Sequence, residues 1–159
     1  MNNDTAWTLQ DLVPHADAMC LLDRVLAADE ESLAAELTIA PDHLFLDSAG
    51  PGSGVGAWVG IEYMAQAVAA WAGVRARERG EAPRIGFLLG SRRYACSRPS
   101  FALGERLRVQ VRREFEADNG MSQFACQILI ADESVASAQL TVFGPEDPRA
   151  FLESEKSND

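Results

Sequence analysis

The chain has 159 residues, 47% of them hydrophobic and 24% charged, the balance of one soluble domain with a sizeable core. Its formal net charge of −10 argues against nucleic acid or an anionic membrane as the main partner. Three cysteines without a C-x-x-C pair, and only two histidines, speak against a metal cluster.

Taken in order, residues 1–11 read as a lead-in with no basic-then-apolar signal segment. Within it, residues 8–13 suit a short helical turn stopped by Pro14. Residues 20–28 suit a strand interrupted by Asp23 and Arg24. Residues 32–40 alternate, with Leu33, Ala35, Leu37 and Ile39 on one face, and Pro41-Asp42 end that strand. Residues 47–56 are dense in Gly, Ser and Pro and read as a loop. A glycine-rich loop before a helix can cradle phosphate, but this one lacks a G-K-[ST] ending and a preceding parallel-sheet pattern. Its backbone N–H groups, with the helix N-terminus, are better suited to face a substrate oxygen.

Residues 57–74 are apolar almost all round, and the helix they predict continues through Arg75, Arg77 and Arg79 to Gly80. The run approaches membrane-spanning length, but Glu62, Gln66 and its glycines suit a buried helix of a soluble, cytoplasmic protein. Four strands follow, over residues 84–96, 105–115, 121–130 and 134–143, with hairpin turns at Asp118-Asn119-Gly120 and Asp132-Glu133. Residues 145–159 form an acidic tail. Cys20, Cys96 and Cys126 lie in apolar or strand-like contexts and read as small core residues. One buried helix followed by antiparallel strands is an α+β pattern, a sheet wrapped around a helix.

Glu62 is the residue that chemistry singles out. A carboxyl inside an all-apolar helix loses its water, and desolvation favours the neutral, proton-donating form. The plain alternative is a glutamate at the helix start that leans out to solvent.

Val13-Pro14-His15, Leu21-Leu22-Asp23-Arg24-Val25 and Glu62-Tyr63-Met64-Ala65-Gln66-Ala67 together resemble the hotdog-fold 3-hydroxyacyl-acyl-carrier-protein dehydratases. Gly86-Phe87-Leu88-Leu89-Gly90, Arg92-Arg93-Tyr94, Pro99 and Gly104-Glu105 extend the resemblance, which spans residues 12–144. The W-V-G-I-E-Y-M-A-Q form of the helix is similar to the divergent dehydratase-like proteins of aryl polyene and related polyketide-type clusters. The resemblance implies a hotdog fold, with a curved antiparallel sheet around one central helix. It also implies a dimer, either of like chains or with a paralogous dehydratase, whose site lies between subunits. The substrate would be a 3-hydroxyacyl thioester on an acyl carrier protein, and no cofactor or metal is implied.

In that family a His takes the α-proton and the helix carboxyl protonates the departing hydroxyl, while backbone N–H groups polarise the thioester carbonyl. Glu62 carries over as the acid. Gln66, one turn on, would orient Glu62 or line the acyl tunnel, with Ala57 and Trp58 at the mouth of the helix. The family His falls on Ser48, so the expected base is missing. His43 is the candidate left, His15 reading as a loop anchor and Asp47 as a turn residue.

Three functions remain open on the sequence: a dehydratase, a hotdog thioesterase using the helix carboxylate, and a non-catalytic partner of a true dehydratase. Arg75, Arg77, Arg79, Arg92, Arg93 and Arg98 are candidates for docking an acidic carrier.

Overall fold

The computed structural model describes residues 20–47, 54–81 and 87–144. The lead-in, His15, Ser48, most of the glycine-rich loop and the acidic tail lie outside them. A 3-10 turn, Ala57–Val59, opens the helix α1, Gly60–Glu78. Alanines and long unbranched side chains dominate it, which favours helix. It ends on Gly80 at φ 74°, where Gly80 N–H donates to the Arg77 carbonyl and Glu81 N–H to that of Ala76, each at 2.9 Å. That pair of bonds is a Schellman cap, and the glycine supplies its left-handed residue without a Cβ clash.

The strands in chain order are β1 (Arg24–Ala28), β2 (Ser32–Thr38), β3 (Leu46–Asp47), β4 (Gly54–Gly56), β5 (Phe87–Cys96), β6 (Ser100–Ala102), β7 (Arg106–Glu116), β8 (Met121–Ile130) and β9 (Glu133–Phe143). Six of them pair antiparallel in the order β1-β2-β7-β8-β9-β5. Alternation decides which face of each strand turns inward. Leu33, Ala35 and Leu37 of β2, Leu107, Val109 and Val111 of β7, and Phe124, Cys126 and Ile128 of β8 are all buried. They meet Tyr63, Met64, Ala67, Val68, Trp71 and Val74 of α1 in one core. The chain is therefore a hotdog fold, α+β, with the sheet wrapped around the helix.

Two expectations need correction. The glycine-rich stretch is not wholly loop, because β4 pairs with both β3 and β6 in a second, three-stranded sheet. A Cβ on Gly54 would collide with the Phe101 carbonyl, so glycine is what lets the strands approach. The last hairpin turns on Ala131 and Asp132, at φ 51° and 66°, because Ile130 and Glu133 are already paired. Two left-handed central residues make a type I′-like turn, whose twist suits a hairpin.

Candidate active site

Within this chain the sheet covers only one side of α1. Tyr63 and Met64 are fully buried, whereas Glu62 is exposed. The other flank, Ile61, Ala65, Ala69 and Ala72, is partly or fully exposed and built of mostly small side chains. The expectation of a desolvated Glu62 is therefore not met inside the single chain. The apolar run does make a helix, but one flank lies open, and Glu62 stands on it.

Gln66 holds that carboxyl. Leu21 N–H donates to Gln66 Oε1 at 2.8 Å, which turns Gln66 Nε2 toward Glu62 Oε1 at 3.2 Å. A backbone amide can only donate, so the orientation of the Gln66 amide follows from its neighbour. The segment before β1 thus aims Gln66, and Gln66 aims Glu62.

The helix entrance is built by Gly60 and Tyr94. The Tyr94 hydroxyl on β5 donates to the Ala57 carbonyl, and a Cβ on Gly60 would strike that same hydroxyl. Burial pushes the Tyr94 phenol well above its ordinary range, so it stays a neutral donor. Ala57 N–H donates to the Pro99 carbonyl at 3.0 Å. The Ala57 amide is therefore not free for a substrate oxygen, and among the described residues the first-turn amides of Trp58 and Val59 have no backbone acceptor at this end. Trp58 is 65% exposed and packs edge-on against Phe45, with ring centroids 5.4 Å apart.

His43 is tied elsewhere. Phe45 N–H donates to its Nδ1 at 3.0 Å, and its Nε2 lies 2.8 Å from the Tyr63 hydroxyl. Burial lowers its pKa from 6.5, against the opposing pull of Asp42 and Asp23. Tyr63 is buried beneath the helix while Glu62 faces out, so His43 engages a different face of α1 from the one that carries Glu62.

The expected docking arginines divide. Arg98 forks onto Glu105, Nη1 to Oε2 at 2.9 Å and Nη2 to Oε1 at 2.5 Å, while Ala102 N–H donates to the same carboxylate at 2.6 Å. Arg98 is thus a turn brace rather than a docking residue. Arg75 pairs with Glu78 at 2.9 Å and Arg79 reaches Glu81 at 3.9 Å. Arg92 and Arg93 on β5 are exposed and carry no ion pair with a described residue.

Cys126 is buried, and burial pushes its thiol up to about 12, as expected of an inert core cysteine. Among the described residues no cluster of His, Cys, Asp and Glu is placed to hold a metal, and no helix is long and apolar enough to cross a membrane. A hollow of about 780 Å³ lies away from Glu62, lined by Ala27, Ala34, Arg108, Gln110, Arg112 and Gln127 among others. This hollow is thus not where the carboxyl stands.

The sequence matches the ApeP-like family, described as ApeP dehydratase, over residues 7–153. The chain belongs to the ApeP-like dehydratase family. A solved structure of the dehydratase heterocomplex ApeI:P from Xenorhabdus doucetiae is similar at 25% identity and TM-score 0.84, covering 94% of this chain and 97% of that one. A mutant of the phenylacetic acid degradation protein PaaI from Thermus thermophilus shares the fold at 18% identity and TM-score 0.60, covering 82% and 98%. So does a hypothetical thioesterase with coenzyme A from Streptococcus pneumoniae TIGR4, at 11% identity and TM-score 0.59, covering 78% and 88%. No curated protein matches the chain. ApeP-like membership fits the dehydratase resemblance carried by the Glu62–Ala67 run.

Proposed function

We propose that this ApeP-like chain is one half of a dehydratase heterodimer that removes water from 3-hydroxyacyl groups carried by an acyl carrier protein in aryl-polyene-type synthesis. The carrying observation is Glu62, presented on an open helix flank and aimed by Gln66, with the one described histidine turned away from it. Glu62 gives its proton to the departing 3-hydroxyl. The base that removes the α-proton is a histidine of a paralogous partner, placed over Glu62 when the open flank is covered. Covering the flank would also take Glu62 out of water.

Ser48 stands where the family has its His, so the second site of the pair would lack a base. The heterodimer would then work through one site, with the acid from this chain and the base from the partner. That a relative is named a heterocomplex supports the pairing.

The test is mass spectrometry of a 3-hydroxyacyl carrier-protein substrate with this chain, the partner, and both together. The mixture should lose one water from the substrate, and Glu62→Ala should lower that turnover by about 10²–10⁴-fold, the usual worth of a positioned acid. Replacing the partner's own helix carboxyl should leave the rate standing. Equal loss from both replacements would refute the single-site arrangement. Release of free thiol would instead favour a thioesterase, a reading supported by a helix carboxylate open to water.

A further inference from the structure

The turn between β2 and β3 closes around one ring. The Ala40 carbonyl accepts His43 N–H and the His43 carbonyl accepts Leu46 N–H, both at 3.1 Å. Inside it, Phe45 N–H donates to His43 Nδ1 at 3.0 Å, and Nε2 stands 2.8 Å from the Tyr63 hydroxyl. Since an amide only donates, Nδ1 carries no proton. The neutral ring must then hold its proton on Nε2 and donate it to Tyr63. Phe45 and Tyr63 flank the ring at 6.2 and 5.9 Å, and Trp58 packs on Phe45 at 5.4 Å.

We propose that His43 is a positioning residue, a latch whose neutral ring ties the Phe45–Trp58 wall to the helix that carries Glu62, and whose protonation releases that wall. A proton can enter only at Nδ1, where it meets Phe45 N–H, donor against donor. The turn then loses its inner bond, and Phe45 loses its seat under Trp58. His43 is not a base in this arrangement, because its one free lone pair is already taken. The latch stands on this geometry, and only its effect on turnover rests on the dehydratase reading.

The charged and titratable groups around the ring set the direction. Asp42 in the same turn and Asp23 ahead of β1 favour the imidazolium, yet burial outweighs both and lowers the His43 pKa. Tyr63 on α1 is held neutral by its own burial and adds no charge. A group with a depressed folded-state pKa contributes its full stability above the unfolded value of 6.5. That contribution is lost as pH falls from there through the folded-state value. The wall is therefore shut at neutral pH and loosens in acid.

A side-chain ¹⁵N NMR titration of the full chain tests this without turnover. The expected result is the Nε2–H tautomer at high pH, a His43 midpoint below 6.5, and a Trp58 indole signal that moves with the same midpoint. An Nδ1–H tautomer, a midpoint at or above 6.5, or a Trp58 signal that ignores His43 would overturn the latch. His43→Asn is the second probe, since its Oδ1 can take the Phe45 N–H bond but does not titrate. It should leave the Trp58 signal flat with pH and lower turnover of the complex at high pH by less than about tenfold. A loss of about 10²–10⁴-fold is what removing a base costs, and would overturn the assignment. A wild-type complex with no turnover would sink the dehydratase reading and leave the NMR result to judge the latch.

Discussion

Gln66 shows how little separates a spectator from a working side chain. Its Oε1 is fixed by Leu21 N–H, which turns its Nε2 toward Glu62. Gln66→Ala should free the Glu62 side chain and leave Leu21 N–H without its acceptor, the second effect costing about 1–3 kcal/mol if that amide stays dry. Turnover of the heterodimer should fall about tenfold while Glu62 remains present. Steady-state kinetics check this, with the loss expected in kcat rather than KM if Gln66 acts by aiming the proposed acid rather than by holding the acyl chain. At this scale the sequence was legible where chemistry follows from residue type. A glutamate and a glutamine one turn apart on an apolar helix declared themselves. His43 did not, because its role depends on which lone pair a backbone amide occupies, and no spacing rule carries that. The sequence left the exposure of Glu62 open between burial and a side chain leaning out to solvent, since an apolar helix does not say which of its faces its own sheet will cover.

Gly60 is decisive among the elements. Two effects oppose each other when it becomes alanine. A glycine inside a helix costs about 0.8–1.0 kcal/mol against alanine, so the propensity term favours the change. The new Cβ, however, meets the Tyr94 hydroxyl and lies 3.1 Å from Ile128 Cδ1. Overpacking of that kind costs about 1–3 kcal/mol, and it also threatens the Tyr94–Ala57 bond that fixes the helix entrance. Gly60→Ala should therefore lower Tm, and a rise in Tm on thermal melting would show that the entrance yields. The long elements were readable because their patterns run for several periods: β2, β7, β8 and β9 alternate, and α1 is mostly apolar as far as Val74. The short sheet of β3, β4 and β6 was not, because two or three residues hold no period, and Gly54 and Gly56 look like loop until β6 is seen paired against them. The Ala131-Asp132 turn was misplaced by one residue for a related reason. Alanine gives no turn signal, and the tight hairpin forces it to a positive φ that its sequence does not advertise.

At the scale of the whole molecule, the six-stranded sheet of the described residues ends on β1 and β5, and one flank of α1 stands open. β1 is short, five residues, and carries an irregularity between Val25 and Ala27. β5 is ten residues long and presents Leu88 and Leu89 at 44% and 54% exposure, next to Arg92 and Arg93, which have no ion pair with a described residue. β5 has irregularities of its own, between Leu88 and Gly90 and between Arg92 and Ala95, so its greater length and exposed apolar side chains are what favour pairing there over the short β1. β5 also carries Tyr94, which braces the start of α1, so a partner strand laid along β5 comes up beside the helix entrance. We therefore expect the partner dehydratase to add its strand at β5. Leu89→Lys should weaken the heterodimer at least about tenfold, because a charge on an edge strand disfavours edge pairing. It should leave the isolated chain's stability within about 0.5 kcal/mol, as exposed substitutions usually do. Ala27→Lys on β1 is the matched control and should leave the complex intact. Size-exclusion chromatography of each variant with the partner decides between the edges. Loss of the complex with Ala27→Lys alone would move the junction to β1 and separate it from the Tyr94 brace.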